Sequence, residues 1–284
     1  MSAELILAID QGTTSSRAIV FDANGTELGI AQQEISLQFP QSGWVNQDPR
    51  DLRDVTLSVA ADVLRQINIT WSDLTAIGIT NQRETTLLWD RSTGEPVTEA
   101  IVWQSRQSAD VIRAWERAGH RERVHVITGL VMDAYFSASK IRWLLDRDPD
   151  LASRAKRGEI CFGTVDSWLI WHLTGGAHFT DTTNASRTML FDITRQMWSD
   201  ELLECFGIPK AILPEIVTSS GGAIQTSQTF GSVPVSGIAG DQHASLFGHM
   251  CFTPGMAKCT YGTGTFVVMN TGDTPALSQS GLLT

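Results

Sequence analysis

The chain is short of cysteine, of basic residues and of long apolar runs, and each shortage removes a class of function. Four cysteines, Cys161, Cys205, Cys251 and Cys259, are spread over 284 residues without a CxxC or Cys–His spacing, so neither a zinc ribbon nor a dithiol redox site is written here. With 42% apolar residues the chain has core enough to fold without cross-links, and free, mostly buried thiols are expected. Lys and Arg number 21 against 31 Asp and Glu, a net charge of −10, which argues against a broad surface for nucleic acid or anionic membranes. Any anionic ligand must be met locally, by backbone N–H groups and a few Arg or Lys side chains. No apolar run approaches the ~20 residues of a membrane span. The first residues are acidic where a signal peptide would be basic, and Asp10 interrupts their short apolar run. A cytoplasmic protein with no membrane span and no nucleic-acid partner is expected. No Gly-x-x-x-x-Gly-Lys-Ser/Thr loop occurs, which removes the Walker-type NTPases.

What the chain does have, at its start, is two apolar runs around Asp10-Gln11-Gly12-Thr13-Thr14-Ser15-Ser16-Arg17. Each run suits a buried strand, and the turn between them is built of Gly, Thr and Ser. Gly12 lets backbone approach a ligand without a Cβ in the way. The hydroxyls and N–H groups that follow suit phosphate oxygens, Asp10 suits a hydrated Mg²⁺, and Arg17 adds a charge partner.

Residues 27–36 read as a third antiparallel strand. Asp48 then Pro49 is an N-cap with proline at the first helical position, and Leu52, Val55, Val59, Val63 and Ile67 recur at helical spacing. Strands are expected over 74–80, 85–89, 159–163 and 233–239, and helices over 105–118, 137–145, 199–206 and 244–250. A further helix is capped by Asp166 and stopped by Gly175-Gly176. Residues 179–193 read as extended and 218–231 as a polar loop. A last hairpin over 256–272 surrounds Tyr261-Gly262-Thr263-Gly264-Thr265 and repeats the strand, Gly/Thr turn and strand of the first. Two such turns facing each other would grip one polyphosphate from both sides. The chain ends soon after the second, and truncation of a second domain is expected.

Asp241 follows a buried strand and precedes a helix, the edge of an α/β sheet where ligands bind, and its carboxylate suits proton acceptance from a hydroxyl. Arg83-Glu84 also follows a strand. Donor and acceptor together suit a polyol, although a surface ion pair is the simpler reading. Trp103 and Tyr135, aromatics among polar neighbours, suit pocket walls or core. Lys140 and Arg142, on a helix, read as solvated. His243 and His249 stand six apart, the wrong spacing for a metal pair on one helical face.

Asp10 to Arg17, Asn81-Gln82-Arg83-Glu84-Thr85, Gly163-Thr164-Val165-Asp166-Ser167-Trp168-Leu169, Thr183-Asn184-Ala185-Ser186-Arg187-Thr188, Gly240-Asp241-Gln242 and Tyr261-Gly262-Thr263-Gly264-Thr265-Phe266 occur in this order. In these segments, across essentially its whole length, the chain resembles the FGGY carbohydrate kinase family, and most closely the members that phosphorylate glycerol. The resemblance implies an α/β fold of the actin-like ATPase, ribonuclease-H-like kind, a mixed sheet with helices on both faces. It implies an N-terminal domain over 1–250 with the glycerol pocket and catalytic base, and the start of a nucleotide-binding domain over 251–284, most of it missing. Glycerol would meet Arg83, Glu84, Trp103, Tyr135, Asp241, Gln242 and Phe266. ATP phosphates would meet Thr13, Thr14, Ser15, Arg17 and Thr263. Asp10 would lie by Mg²⁺, and Asp241 would be the general base. A homo-oligomer at full length is implied, with weak or no activity in this chain alone. The stretch Gln225-Thr226-Ser227-Gln228-Thr229-Phe230-Gly231 lacks the Arg of relatives inhibited by fructose 1,6-bisphosphate. It also lacks the His of relatives activated by a phosphocarrier protein. Kinases of another polyol or ketose, such as xylulose, and a non-catalytic glycerol-binding fragment are the competing readings; an actin-like chaperone has no use for a polyol pocket.

Overall fold

The computed structural model describes residues 4–261 and 264–284. Its centre is a mixed sheet built from β1 (Leu5–Gln11), β2 (Ser15–Asp22), β3 (Glu27–Glu34), β4 (Ala76–Asn81), β5 (Ser220–Gln225) and β6 (Pro234–Gly240). Among the described residues these six strands run in the order β5-β6-β4-β1-β2-β3. β1, β2 and β3 form an antiparallel meander, while β4 and β6 run parallel to β1.

The period of two along β1 decides what faces where. Leu5, Leu7 and Ile9 enter the core and Ile6 stays exposed. Helix α1 (Pro49–Gln66) packs on this face, with Leu52, Val59 and Val63 buried against the sheet. The Asp48 carboxylate accepts from Arg50 N at 2.8 Å and caps it as the sequence implies. A second core cluster gathers Phe136, Ile141, Phe162 and Phe206 from α2 (Ser137–Arg147) and its neighbours. There Trp115 stacks on Phe206 at 3.8 Å.

Several sequence expectations are corrected here. Residues 218–231 are not all loop: β5 lies among them, a polar edge strand made by its antiparallel ladder to β6 rather than by apolar alternation. Residues 179–193 are not continuously extended. The Asp181 carboxylate accepts from Thr183 N and Asn184 N and starts a short helix, Thr182–Ala185. The helix expected over 105–118 begins at Ala109, because the Ser105 hydroxyl is taken by Val45 N. Helix α3 (Val165–Thr174) has Thr164 at its N-cap, and Asp166 is buried inside the first turn. Helices Arg121–Thr128 and Pro149–Lys156 were not anticipated, although Asp148-Pro149 repeats the cap-and-proline signal of α1. All four cysteines are free. Cys161 and Cys251 are buried, Cys205 is half-buried and Cys259 is exposed.

Parallel pairing brings distant residues to one edge. Asp10 stands opposite Thr80 and Gly240 opposite Asn81, so the C-terminal ends of β1, β4 and β6 deliver Asp10, the Gln82–Glu84 segment and Asp241 side by side. Asp241 opens α4 (Asp241–Gly248). Beyond it, β7 (Ala257–Tyr261) and β8 (Thr265–Met269) form a separate two-stranded hairpin. No described helix is long and apolar enough to cross a membrane.

Candidate functional site

The turn between β1 and β2 has every carbonyl occupied from behind. Gly12 O accepts from Gln11 Nε2 at 2.7 Å, Thr13 O from Gln47 Nε2 at 2.7 Å, and Thr14 O from Ile35 N at 2.9 Å. Among the described residues no acceptor takes the N–H of Thr13 or Thr14. The turn therefore presents free donors on one side and is braced on the other, the arrangement an anion needs. Gln82, 2% exposed, completes the brace by donating to Gln47 Oε1 at 3.1 Å and Gln11 Oε1 at 3.2 Å. Ser15 accepts from Gln32, which also accepts from Arg17 Nε at 3.0 Å. Ser16 leaves the row of hydroxyls: it points inward to Thr56 at 2.7 Å. Thr263, expected at the second turn, lies outside the described residues.

On the other side of the edge Arg83, Glu84 and Arg187 are buried, not on the surface, while Asp241 is partly exposed. Arg83 Nε lies 3.1 Å from Asp241 Oδ1, and its NH2 is 3.8 Å from Glu84 Oε1. Arg187 Nε donates to the same Glu84 oxygen at 2.8 Å. Burial pushes the Glu84 carboxyl up, but Arg83, Arg187 and Lys140 outweigh it and its pKa is lowered. Asp241 goes the other way: burial raises its pKa, Glu84 adds to this, and Arg83 opposes. Gln242 donates to Asp241 through its backbone N at 2.7 Å and its side chain at 3.2 Å. The Gln242 oxygen accepts from Lys258 on β7.

Aromatic rings close this side. Trp103 meets Tyr135 edge-on at 5.6 Å and Phe266 at 6.5 Å. Trp103 Nε1 donates to Thr13 Oγ1 at 2.8 Å, which ties the ring wall to the anion turn. All the other expected glycerol residues, namely Arg83, Glu84, Tyr135, Asp241, Gln242 and Phe266, thus fall around one site.

The backbone before Asp241 is held by a polar chain. Gly240 N donates to Thr183 Oγ1 at 2.8 Å, and Thr183 donates to Asp181 Oδ2 at 2.7 Å. A Cβ on Gly240 would stand 2.5 Å from Arg83 Cδ, so only glycine lets the strand end pass the arginine.

Asp10 fits a hydrated magnesium ion. Burial raises its pKa and nearby Asp241 raises it further, against the pull of Arg17. Two neighbouring carboxylates beside an anion turn are the hard oxygen donors that Mg²⁺ takes together with phosphate and water. Among the described residues no three His, Cys, Asp or Glu side chains form a cage of protein ligands alone.

Sequence reasoning missed two cations. Arg187 stood there only as one member of the Thr183–Thr188 segment, with no role. Lys140, read as solvated, is wholly buried, and burial lowers its pKa to about 7. Arg142 is partly covered and donates to Gly207 O at 2.9 Å. The Lys140 signal was available in part: Ala138, Ile141 and Leu144 place the residue on the inner side of α2.

Residues 5–248 match the N-terminal domain of the FGGY family of carbohydrate kinases. The glycerol kinase of Bordetella parapertussis is 53% identical over 283 residues, 99% of this chain and 56% of that protein. The glycerol kinase of Lactococcus lactis subsp. lactis is 52% identical over 98% of this chain and 57% of its own length. Among solved structures, Plasmodium falciparum glycerol kinase with ADP has a TM-score of 0.93 at 32% identity, covering 99% of this chain and 57% of that one. Gluconate kinase from Lactobacillus acidophilus, at TM-score 0.85 and 21% identity, shares the fold. The chain thus spans a little over half the length of the curated relatives it matches.

Proposed function

The chain belongs to the FGGY family of carbohydrate kinases, and from that premise we propose that its site serves the ATP-dependent phosphorylation of glycerol to sn-glycerol 3-phosphate. The observation that carries the reading is the position of Asp241. Its carboxylate touches Arg83 on the polyol side at 3.1 Å and lies within the electrostatic reach of Asp10 on the anion side. Glycerol would lie between Trp103, Tyr135 and Phe266, with its hydroxyls met by Arg83, Glu84, Asp241 and Gln242. Asp241 accepts the proton of the primary hydroxyl, that oxygen attacks the γ-phosphorus in line, and the bond to the β–γ bridging oxygen breaks so that ADP leaves. The free N–H groups of Thr13 and Thr14, with Ser15 and Arg17, hold the phosphates of ATP. Magnesium, when bound, neutralises phosphate charge, and Asp10 is the residue that would hold it. A homo-oligomeric, cytoplasmic enzyme is part of the same reading, as is a nucleotide-binding domain that begins near residue 251.

Because the chain spans a little over half of its relatives' length, the first readout is glycerol binding by calorimetry. It is followed by glycerol-dependent ADP release. Asp241→Asn should keep glycerol affinity within a few-fold while kcat falls roughly 10²–10⁴-fold, the range of a lost general base. Absence of both glycerol binding and glycerol-dependent ADP release would sink the proposal.

A further inference from the structure

Beneath the residues assigned to glycerol lies a lysine that the reaction does not use. Lys140 Nζ donates to the backbone carbonyl of Glu84 at 2.8 Å and to the backbone carbonyl of Tyr135 at 2.8 Å. Ser137 Oγ adds a longer contact to the Glu84 carbonyl at 3.4 Å. A wholly buried lysine is expensive, because its ammonium gives up water, and an apolar residue of similar length would fill the same space at less cost. What an apolar residue could not do is hold two carbonyls at once.

Those carbonyls belong to two different walls of the pocket. Glu84 carries the carboxylate that pairs with Arg187, and Tyr135 carries the ring that meets Trp103 at 5.6 Å. The Arg187 guanidinium spans the same gap from the side-chain direction, 2.8 Å from Glu84 and 5.9 Å from the centre of the Tyr135 ring. Lys140 thus joins the two walls through their main chains, and Arg187 joins them through their side chains. We propose that Lys140 is a positioning residue of the polyol pocket: by holding both carbonyls on one nitrogen it fixes the spacing of carboxylate and aromatic wall, and with it the size of polyol that fits. The inference rests on the glycerol reading above. It does not depend on charge, since a neutral amine keeps two N–H donors for the same two acceptors.

The test compares glycerol with the five-carbon polyol xylitol on the wild-type chain and on Lys140→Met, with binding read by calorimetry and folding by circular dichroism. Lys140→Met is expected to weaken glycerol about tenfold and to shrink the preference for glycerol over xylitol by a similar factor. Where turnover is measured, KM should rise while kcat changes less than about threefold. A general loss of stability would not change the ratio of the two polyols, so the ratio separates positioning from mere support. A folded variant with the wild-type ratio overturns the inference and leaves the glycerol reading standing. Wild type that binds no glycerol removes that reading and this inference with it. Should Lys140→Met not fold, Lys140→Gln is read in the same way, being polar but too short to reach both carbonyls. Failure of both to fold would place Lys140 in the stability of the domain and also overturn the inference.

Discussion

The hairpin of β1 and β2 is paired on both sides, to β4 and to β3, whereas the hairpin of β7 and β8 forms a two-stranded sheet of its own. The first buries Leu5, Leu7, Ile9, Ala18 and Val20, and three glutamines brace its turn. The second leaves Tyr261 83% and Val267 71% exposed. It meets the site through Lys258 on Gln242, and through Phe266 beside Trp103. Both read in sequence as strand, Gly/Thr turn, strand. The difference lies in the support of the strands: those of the first hairpin are paired on both sides, and those of the second only with each other.

If support is the distinguishing property, the largest effects should come from groups buried in the core that the six-stranded sheet shares with its helices, and Asp166, in the first turn of α3, is the extreme case. Burial raises its carboxyl to about 7, Asp181 adding to the rise, while Thr164 and Thr180 donate to its oxygens. The folded state keeps this proton between about pH 4 and 7, where the unfolded chain loses it. Stability therefore falls as pH rises through that window, and the full penalty is present above it. That penalty is roughly 4 kcal/mol, the free energy of holding a carboxyl neutral so far above its ordinary range. Urea unfolding from pH 4 to 8 should show the decline in the wild type and a flatter profile in Asp166→Asn. Equal slopes in the two proteins would mean that Asp166 is ionised in the fold.

Gln82→Leu strikes the brace itself. It strands Gln47 Oε1, Gln11 Oε1 and the Thr85 hydroxyl, which now donates to Gln82 Oε1 at 2.8 Å. Leaving buried polar groups unpaired costs about 1–3 kcal/mol each, and with some relaxation a loss of about 3 kcal/mol is expected in urea unfolding. A loss below about 1 kcal/mol would mean that the turn is not held from behind, and the contrast between the hairpins would collapse.

How much of this was legible follows the same division. Alternation and caps are local, and they disclosed β1, β2, β4, β6 and α1. The residues proposed to bind a polyol were legible through their resemblance to a family, and the sheet register explains why they meet: Asp10, Arg83 and Asp241 each lie at or just past the end of a parallel strand. The burial of Lys140 was legible in part, but its partners were not, because on Glu84 and Tyr135 they are main-chain oxygens that any residue would supply. Ser16 was misread for a related reason. Its neighbours Thr13 and Ser15 meet Trp103 and Gln32, but the period of two sends Ser16 inward to Thr56. β5 hid because Ser220, Gly221 and Gly222 carry no strand signal, and the neighbouring β6 imposes the pairing.

Lys258→Met sharpens the comparison from the other hairpin. Lys258 is buried and donates to Gln242 and to Thr260, the latter at 2.7 Å. Its loss should cost about 1 kcal/mol of stability, since Gln242 keeps its contact to Asp241. A cation near Asp241 is also removed, so the apparent pKa of Asp241, the proposed base, read from the pH dependence of turnover, should rise. An unchanged value would mean that Lys258 does not act on Asp241 at all.

The smallest effect is expected at Val267, in the middle of β8 and largely exposed. Threonine keeps its shape and β-branching, and an exposed strand position tolerates a hydroxyl, so Val267→Thr should change stability by less than ~0.5 kcal/mol. The same exchange at buried Val20 of β2 inserts a hydroxyl into the core and should cost at least about 1–2 kcal/mol more. Equal costs at the two sites would contradict the contrast directly, because they would require the outer face of the second hairpin to be covered in solution. In that case the midpoint of unfolding should depend on protein concentration, as it does when a second chain supplies the cover.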